Sequence, residues 1–200
     1  MSDQTPIPSP QSPPQAHVYG DDIDTDRIIP GKYTKTLDLS QLAAHVLEDL
    51  DPEFRERVQS GDVLVAGDNF GCGSSREQAP LAIQAAGVSA VVARSFARIF
   101  YRNAINVGLP ILEVPDHQIE AGEAVRVDLA RGTVEASGAT YTATPLPPVM
   151  LAILDAGGLV PYLREHGDFL EVGGANAEVR SGALPSPEGA PDVRSTRGNS

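Results

Sequence analysis

From Ala16 to Val114 the chain alternates short apolar-rich runs with longer segments whose apolar residues recur at helical spacing. AHVYG, DVLVAG, VSAVVA and LPILEV are the short runs, each bounded by polar residues or glycine, and they read as strands. LSQLAAHVLEDL has helical periodicity, with Asp38 ahead of it as a cap. APLAIQAAG and SFARIFYRNAINVG read as helices ended by Gly87 and Gly108, while DDIDTDRIIPGKYTKT reads as a long loop. The resulting strand–helix–strand–helix–strand order predicts parallel β/α units.

The pattern then changes. AVRVDL, GTVEAS and TYTAT are short alternating segments joined by tight turns, which predicts a small antiparallel subsheet. PPVMLAILDAGG and LVPYLREHG supply one or two closing helices. Residues 1–15 are rich in Pro, Ser and Gln and read as a disordered arm. Residues 167–200 carry many breakers and read as a largely disordered tail, leaving one mixed α/β domain over 16–166 with a β/β/α layering.

Composition narrows the function. The 200 residues are 41% hydrophobic, enough for a core, and no apolar run approaches the ~20 residues of a membrane span. The N-terminus has no basic region followed by an apolar stretch, so no secretory signal is read there and the cytoplasm is the expected location. A net charge of -12 argues against nucleic acid as partner, although a few arginines can still serve a small anionic substrate. The single cysteine excludes an internal disulfide framework and a self-contained iron–sulfur or cysteine-based zinc site.

The densest chemistry lies in GDNFGCGSSREQAP, Gly67 to Pro80, placed after a strand and before a helix. The phosphate-loop pattern fails because no Gly-Lys-Ser/Thr occurs. The dinucleotide fingerprint fails because Arg76 stands where its third glycine belongs. Cys72 is either a thiol nucleophile or an inert small residue, and no histidine lies nearby in sequence to activate it. Ser74 and Glu77 match a capping box, although Pro80 bends the first turn or delays it. Equally, a Ser-Ser-Arg run behind glycines at a helix N-terminus suits a carboxylate ligand.

Two further stretches stand out. Asp21–Pro30 carries four carboxylates but lacks the calcium-loop glycine and glutamate, and the Ile-Ile-Pro that follows predicts a packed loop with Asp24 or Asp26 buried. Arg94, Arg98 and Arg102 recur every four residues and read as a solvated helix stripe, while Phe96, Phe100 and Tyr101 read as core or interface.

In order and spacing, DDIDTDRIIPGKY, GDNFGCGSSREQAP and ARSFARIFYRNAINVGLPI resemble the small subunits of aconitase-type dehydratases, 3-isopropylmalate dehydratase in particular. Gln78 departs from the pattern, since many relatives carry histidine there. The resemblance implies a swivelling β/β/α domain that closes over a separate large subunit, which holds a [4Fe-4S] cluster. It implies a small hydroxy-dicarboxylate as substrate and assigns Ser74 as the base, acting as an alkoxide, with Arg76 as carboxylate clamp. Ser75 and the Gly73 amide become secondary contacts, and Asp26 with Thr25 positions the site. The segment after Ile-Ile-Pro is implied to set specificity. Lys35 lies there, either paired with an extra substrate carboxylate or solvated. Isopropylmalate ranks first as substrate, homoaconitate second. A non-catalytic anion-binding module is the alternative of a different class.

Overall fold

A computed structural model describes residues 13–167. The expectations for residues 1–12 and 168–200 lie outside the described residues. Pro14 and Gln15, which the sequence assigns to the arm, are hydrogen-bonded into the domain. The Pro14 carbonyl accepts Val125 N–H at 2.8 Å and the Gln15 carbonyl accepts Val63 N–H at 2.9 Å.

Four parallel strands form the central sheet in the order β1 (Ala16–Val18), β2 (Val63–Ala66), β3 (Ala90–Ala93), β4 (Ile111–Glu113). The chain crosses from β1 to β2 through three short helices, α1 (Thr25–Ile28), α2 (Leu39–Ala44) and α3 (Phe54–Arg57). Helices α4 (Gln78–Ala85) and α5 (Arg98–Val107) make the next two crossovers. A three-stranded antiparallel sheet follows, β5 (Val125–Asp128), β6 (Thr133–Ala136) and β7 (Ala139–Thr142). Helices α6 (Pro148–Asp155) and α7 (Leu159–His166) close the domain.

The two-residue period of a strand sorts the core into two faces. Leu64, Ala66, Val91, Ala93 and Ile111 point into the helical layer, beside Phe70, Ile83, Phe100 and Ala104. Val63, Val65, Ala90, Val92 and Leu112 point the other way, onto Val125, Val134 and Ala136 of the small sheet. Strands buried on both faces must read as continuous apolar runs, which is why β2 and β3 are unbroken Val, Leu and Ala. The layers are therefore helix, parallel sheet, antiparallel sheet, the expected α/β architecture.

Several local expectations change. The helix expected over residues 39–50 keeps its Asp38 cap, whose carboxylate accepts Ser40 and Gln41 N–H, but ends at Ala44. Leu47 turns left-handed at φ 59° and donates its N–H to the Ile28 carbonyl at 2.8 Å. A tertiary bond thus overrides local propensity. The loop expected over 21–36 contains α1 and a 3-10 turn at Gly31–Tyr33. Arg94 lies just beyond β3 rather than on α5, so the expected arginine stripe reduces to Arg98 and Arg102, both exposed. The aromatic cluster is core: Phe100 stacks on Phe96 and meets Phe70 edge-on at 5.1 Å.

Candidate active site

The loops after β1, β2 and β3 leave the same edge of the sheet and continue to pair beyond the strands. Gly71 N–H donates to the Ile23 carbonyl at 2.8 Å and Thr25 N–H to the Cys72 carbonyl at 2.8 Å. On the other side, Phe70 N–H donates to Ser95 and Ala97 N–H to Phe70, at 3.0 and 2.9 Å. Gly67–Glu77 is thus held between two neighbours at the carboxyl ends of the strands, where open parallel sheets place ligand sites.

Glycine is required at two points of this loop. Gly71 has φ 78°, and a Cβ there would fall 2.2 Å from Phe100 Cγ, so the backbone lies directly on the aromatic ring. Gly73 has φ 94°, and its Cβ would come within 3.3 Å of Thr25 Oγ1. Both positions favour left-handed backbone, and both are closed by a neighbour.

Ser74 and Ser75 are exposed on this platform. Thr25 lies beneath Ser74: its Oγ1 accepts Ser74 N–H at 3.2 Å and stands 3.4 Å from Ser74 Oγ. The Arg76 guanidinium pairs through Nη1 with the Asp26 carboxylate and reaches the Ile29 carbonyl at 3.5 Å. Asn103 on α5, a buried polar residue the sequence reading passed over, extends Nδ2 to the Ser75 carbonyl at 3.5 Å. Its one signal was an amide amid the apolar positions of an amphipathic helix.

The capping box does not form. α4 begins at Gln78, its cap is Glu77, and no side chain caps it. Pro80 falls in the first turn, where the missing N–H would have no helical partner in any case. Ser74 therefore precedes the helix by four residues, beyond the reach of a dipole effect confined to the first turn.

The acidic loop also differs from expectation. Ile28, Ile29 and Pro30 are buried as predicted, but neither aspartate is. Asp24 is half-buried and caps α1 through Arg27 N–H at 2.9 Å, while Asp26 is exposed and reaches the half-buried Arg76 guanidinium. Lys35 is exposed on the turn after the 3-10 segment. That segment is fastened to the site by Gln78, whose Nε2 donates to the Thr34 carbonyl at 3.0 Å, and by Tyr33 stacked on His45 at 3.8 Å.

Cys72 is half-buried, and burial, reinforced by the charges of Asp24 and Asp22, pushes its thiol up. A neutral thiol at physiological pH is neither a good nucleophile nor a ready metal ligand. Among the described residues no group of three or more His, Cys, Asp or Glu could hold a metal ion. With one cysteine in the sequence, this donor set does not fit an iron–sulfur cluster.

Residues 15–117 match the aconitase C-terminal domain family. The 3-isopropylmalate dehydratase small subunit of Moorella thermoacetica is 56% identical over 153 residues, 74% of this chain and 92% of that protein. Small subunit 1 of the Methanopyrus kandleri dehydratase is 56% identical over 157 residues, 76% of this chain and 92% of its own length. The crystal structure of 3-isopropylmalate dehydratase from Methanocaldococcus jannaschii superposes with a TM-score of 0.74 at 47% identity, covering 77% of this chain and 93% of that one. The chain belongs to the aconitase C-terminal domain family and, within it, to the 3-isopropylmalate dehydratase small subunits.

Proposed function

We propose that this chain is the small subunit of a 3-isopropylmalate dehydratase, interconverting 2-isopropylmalate and 3-isopropylmalate by loss and return of water in leucine biosynthesis. The observation that carries the reading is the convergence of Ser74, Arg76, Asp26 and Thr25, from two loops, in a chain of this family. The iron–sulfur cluster is assigned to a large subunit, because the donors on this chain do not fit it. No helix among the described residues is long and apolar enough to cross a membrane, and the cytoplasm is the proposed place of action.

Ser74, as alkoxide, takes a proton from the carbon adjacent to the one bearing the departing hydroxyl, and returns it to the carbon that lost the hydroxyl when water adds back at its neighbour. The planar Arg76 fork receives a substrate carboxylate, with Asp26 holding Nη1 and thereby its orientation. Ser75 and the Gly73 amide make secondary contacts with the substrate. The exposed cation of Lys35 favours a second reading, in which it meets the extra carboxylate of homoaconitate.

The test pairs this chain with a cluster-bearing large subunit and follows absorbance of the unsaturated acid. Ser74→Ala should lower turnover by about a thousandfold or more while the two chains still associate. Full activity in that variant would remove Ser74 from the role of base.

A further inference from the structure

We infer that the Thr25 hydroxyl sets both the position and the acidity of Ser74, an inference that rests on reading Ser74 as the base. Thr25 is 1% exposed, so the Ser74 loop covers it from solvent. Among the described residues, every hydrogen bond of its side chain goes to Ser74: Oγ1 accepts the backbone N–H at 3.2 Å and lies 3.3 Å from the carbonyl oxygen and 3.4 Å from Oγ. A threonine hydroxyl has one proton to give. Here that proton has two acceptors, and both belong to Ser74.

The choice between them depends on the charge of Ser74. Beside a neutral serine, the carbonyl and the hydroxyl are comparable acceptors. Beside an alkoxide, Oγ is much the stronger, because hydrogen bonds to an ionised acceptor are shorter and roughly twice as strong. The proton remains on Thr25 throughout and turns from the carbonyl to Oγ. A donor that favours the ionised form lowers the pKa of the group it serves. The 3.4 Å separation is long, as such bonds often are before substrate and partner close the site.

The backbone that carries the hydroxyl is fixed on both sides. Thr25 N–H is committed to the Cys72 carbonyl at 2.8 Å, and its carbonyl accepts Ile29 N–H at 3.0 Å. Valine has nearly the same volume as threonine, so burial alone does not call for the hydroxyl. A buried hydroxyl carries a cost unless bonded. The charged or titratable groups flanking Ser74 are Asp24, which caps α1, and Asp26 within it, with Cys72, Arg76 and Glu77 from its own loop; α5 presents the neutral Asn103 to the neighbouring Ser75.

The test uses the full chain in complex with its large subunit. Thr25→Val should lower kcat about ten- to hundredfold with KM held within about threefold, and should move the acidic limb of the kcat–pH profile up by about one unit. Thr25→Ser keeps the hydroxyl and should recover kcat to within about fivefold. Wild-type kcat in Thr25→Val overturns the inference and leaves the base in place. A loss that Thr25→Ser does not recover, with the pH limb unmoved, also overturns it. Activity retained by Ser74→Ala removes the base and this inference with it.

Discussion

The Arg76 guanidinium and the Asp26 carboxylate, 50 residues apart in sequence, form the ion pair that joins the loop after β2 to the helical turn after β1. The Arg76 side chain is 23% exposed and that of Asp26 62%. A pair this open contributes at most about 1 kcal/mol to folding. Its effect lies in aim, since the pair occupies Nη1 of a five-donor fork.

Asp26→Asn should therefore separate binding from stability. KM for the diacid should rise about tenfold, because Arg76 loses its anchor, while the melting temperature moves by about 3 °C or less. Steady-state kinetics and thermal unfolding of the same preparation check it. A large fall in melting temperature with unchanged KM would make the pair structural.

The two glycines of the loop should fail differently. Gly71→Ala drives a methyl into the Phe100 ring from a left-handed backbone and should destabilise the chain by about 2–4 kcal/mol in urea unfolding. Gly73→Ala is also left-handed, but its tightest new contact is the Thr25 hydroxyl at 3.3 Å, so it should cost less stability while removing most turnover. Equal stability losses in the two variants would contradict this.

Cys72 should behave as a spectator. Its thiol is pushed up, chiefly by burial, so at a given pH less of it is thiolate than in free cysteine. Alkylation at pH 8 should be slower than for the free amino acid and accelerate only at higher pH. Cys72→Ser should keep activity within about threefold. Rapid labelling at neutral pH would refute the assignment.

Asp62 should govern acid stability. Burial raises its carboxyl, but hydrogen bonds from Gln15 N–H, Gln59 N–H and His17 outweigh that and hold it below the usual range. A depressed folded value means that the stabilisation is complete above the unfolded pKa, near 4, and fades as pH falls through the folded value. Asp62→Asn should cost about 2–4 kcal/mol at pH 7 and progressively less below about pH 4. Urea unfolding across that range reads the difference directly.

Lys35 tests substrate choice. Lys35→Leu should leave isopropylmalate turnover within about threefold and lower any turnover of homoaconitate by about tenfold, since only the latter offers an extra carboxylate. Equal effects on both acids would detach Lys35 from specificity.

Legibility in the sequence followed the range of the interactions. The apolar runs of β2 and β3 and the Asp38 cap depend on neighbours in the chain, and all were readable. The end of α2 was not, because Leu47 answers to Ile28 across the fold. The Ser74–Glu77 capping box was a correct local pattern that the structure did not use. There the loop is held by Ile23, Thr25 and Ser95, so the chain bends at Ser74, whose carbonyl accepts Arg76 N–H at 2.9 Å, and the helix begins after Glu77.

By itself the sequence determined the α/β class, the loop that concentrates the chemistry, and the absence of cysteines enough to hold a cluster. Apolar period, residue type and count are properties of a chain before it folds. Only the tertiary structure decided that Asp26 serves Arg76 rather than the core, that Thr25 lies beneath Ser74, and that the serine stands clear of the helix end. Those relations exist because β1 and β2 are parallel neighbours whose loops emerge side by side, and the adjacency of strands paired as Ala16 with Val63 is set by packing across the fold rather than by any local pattern.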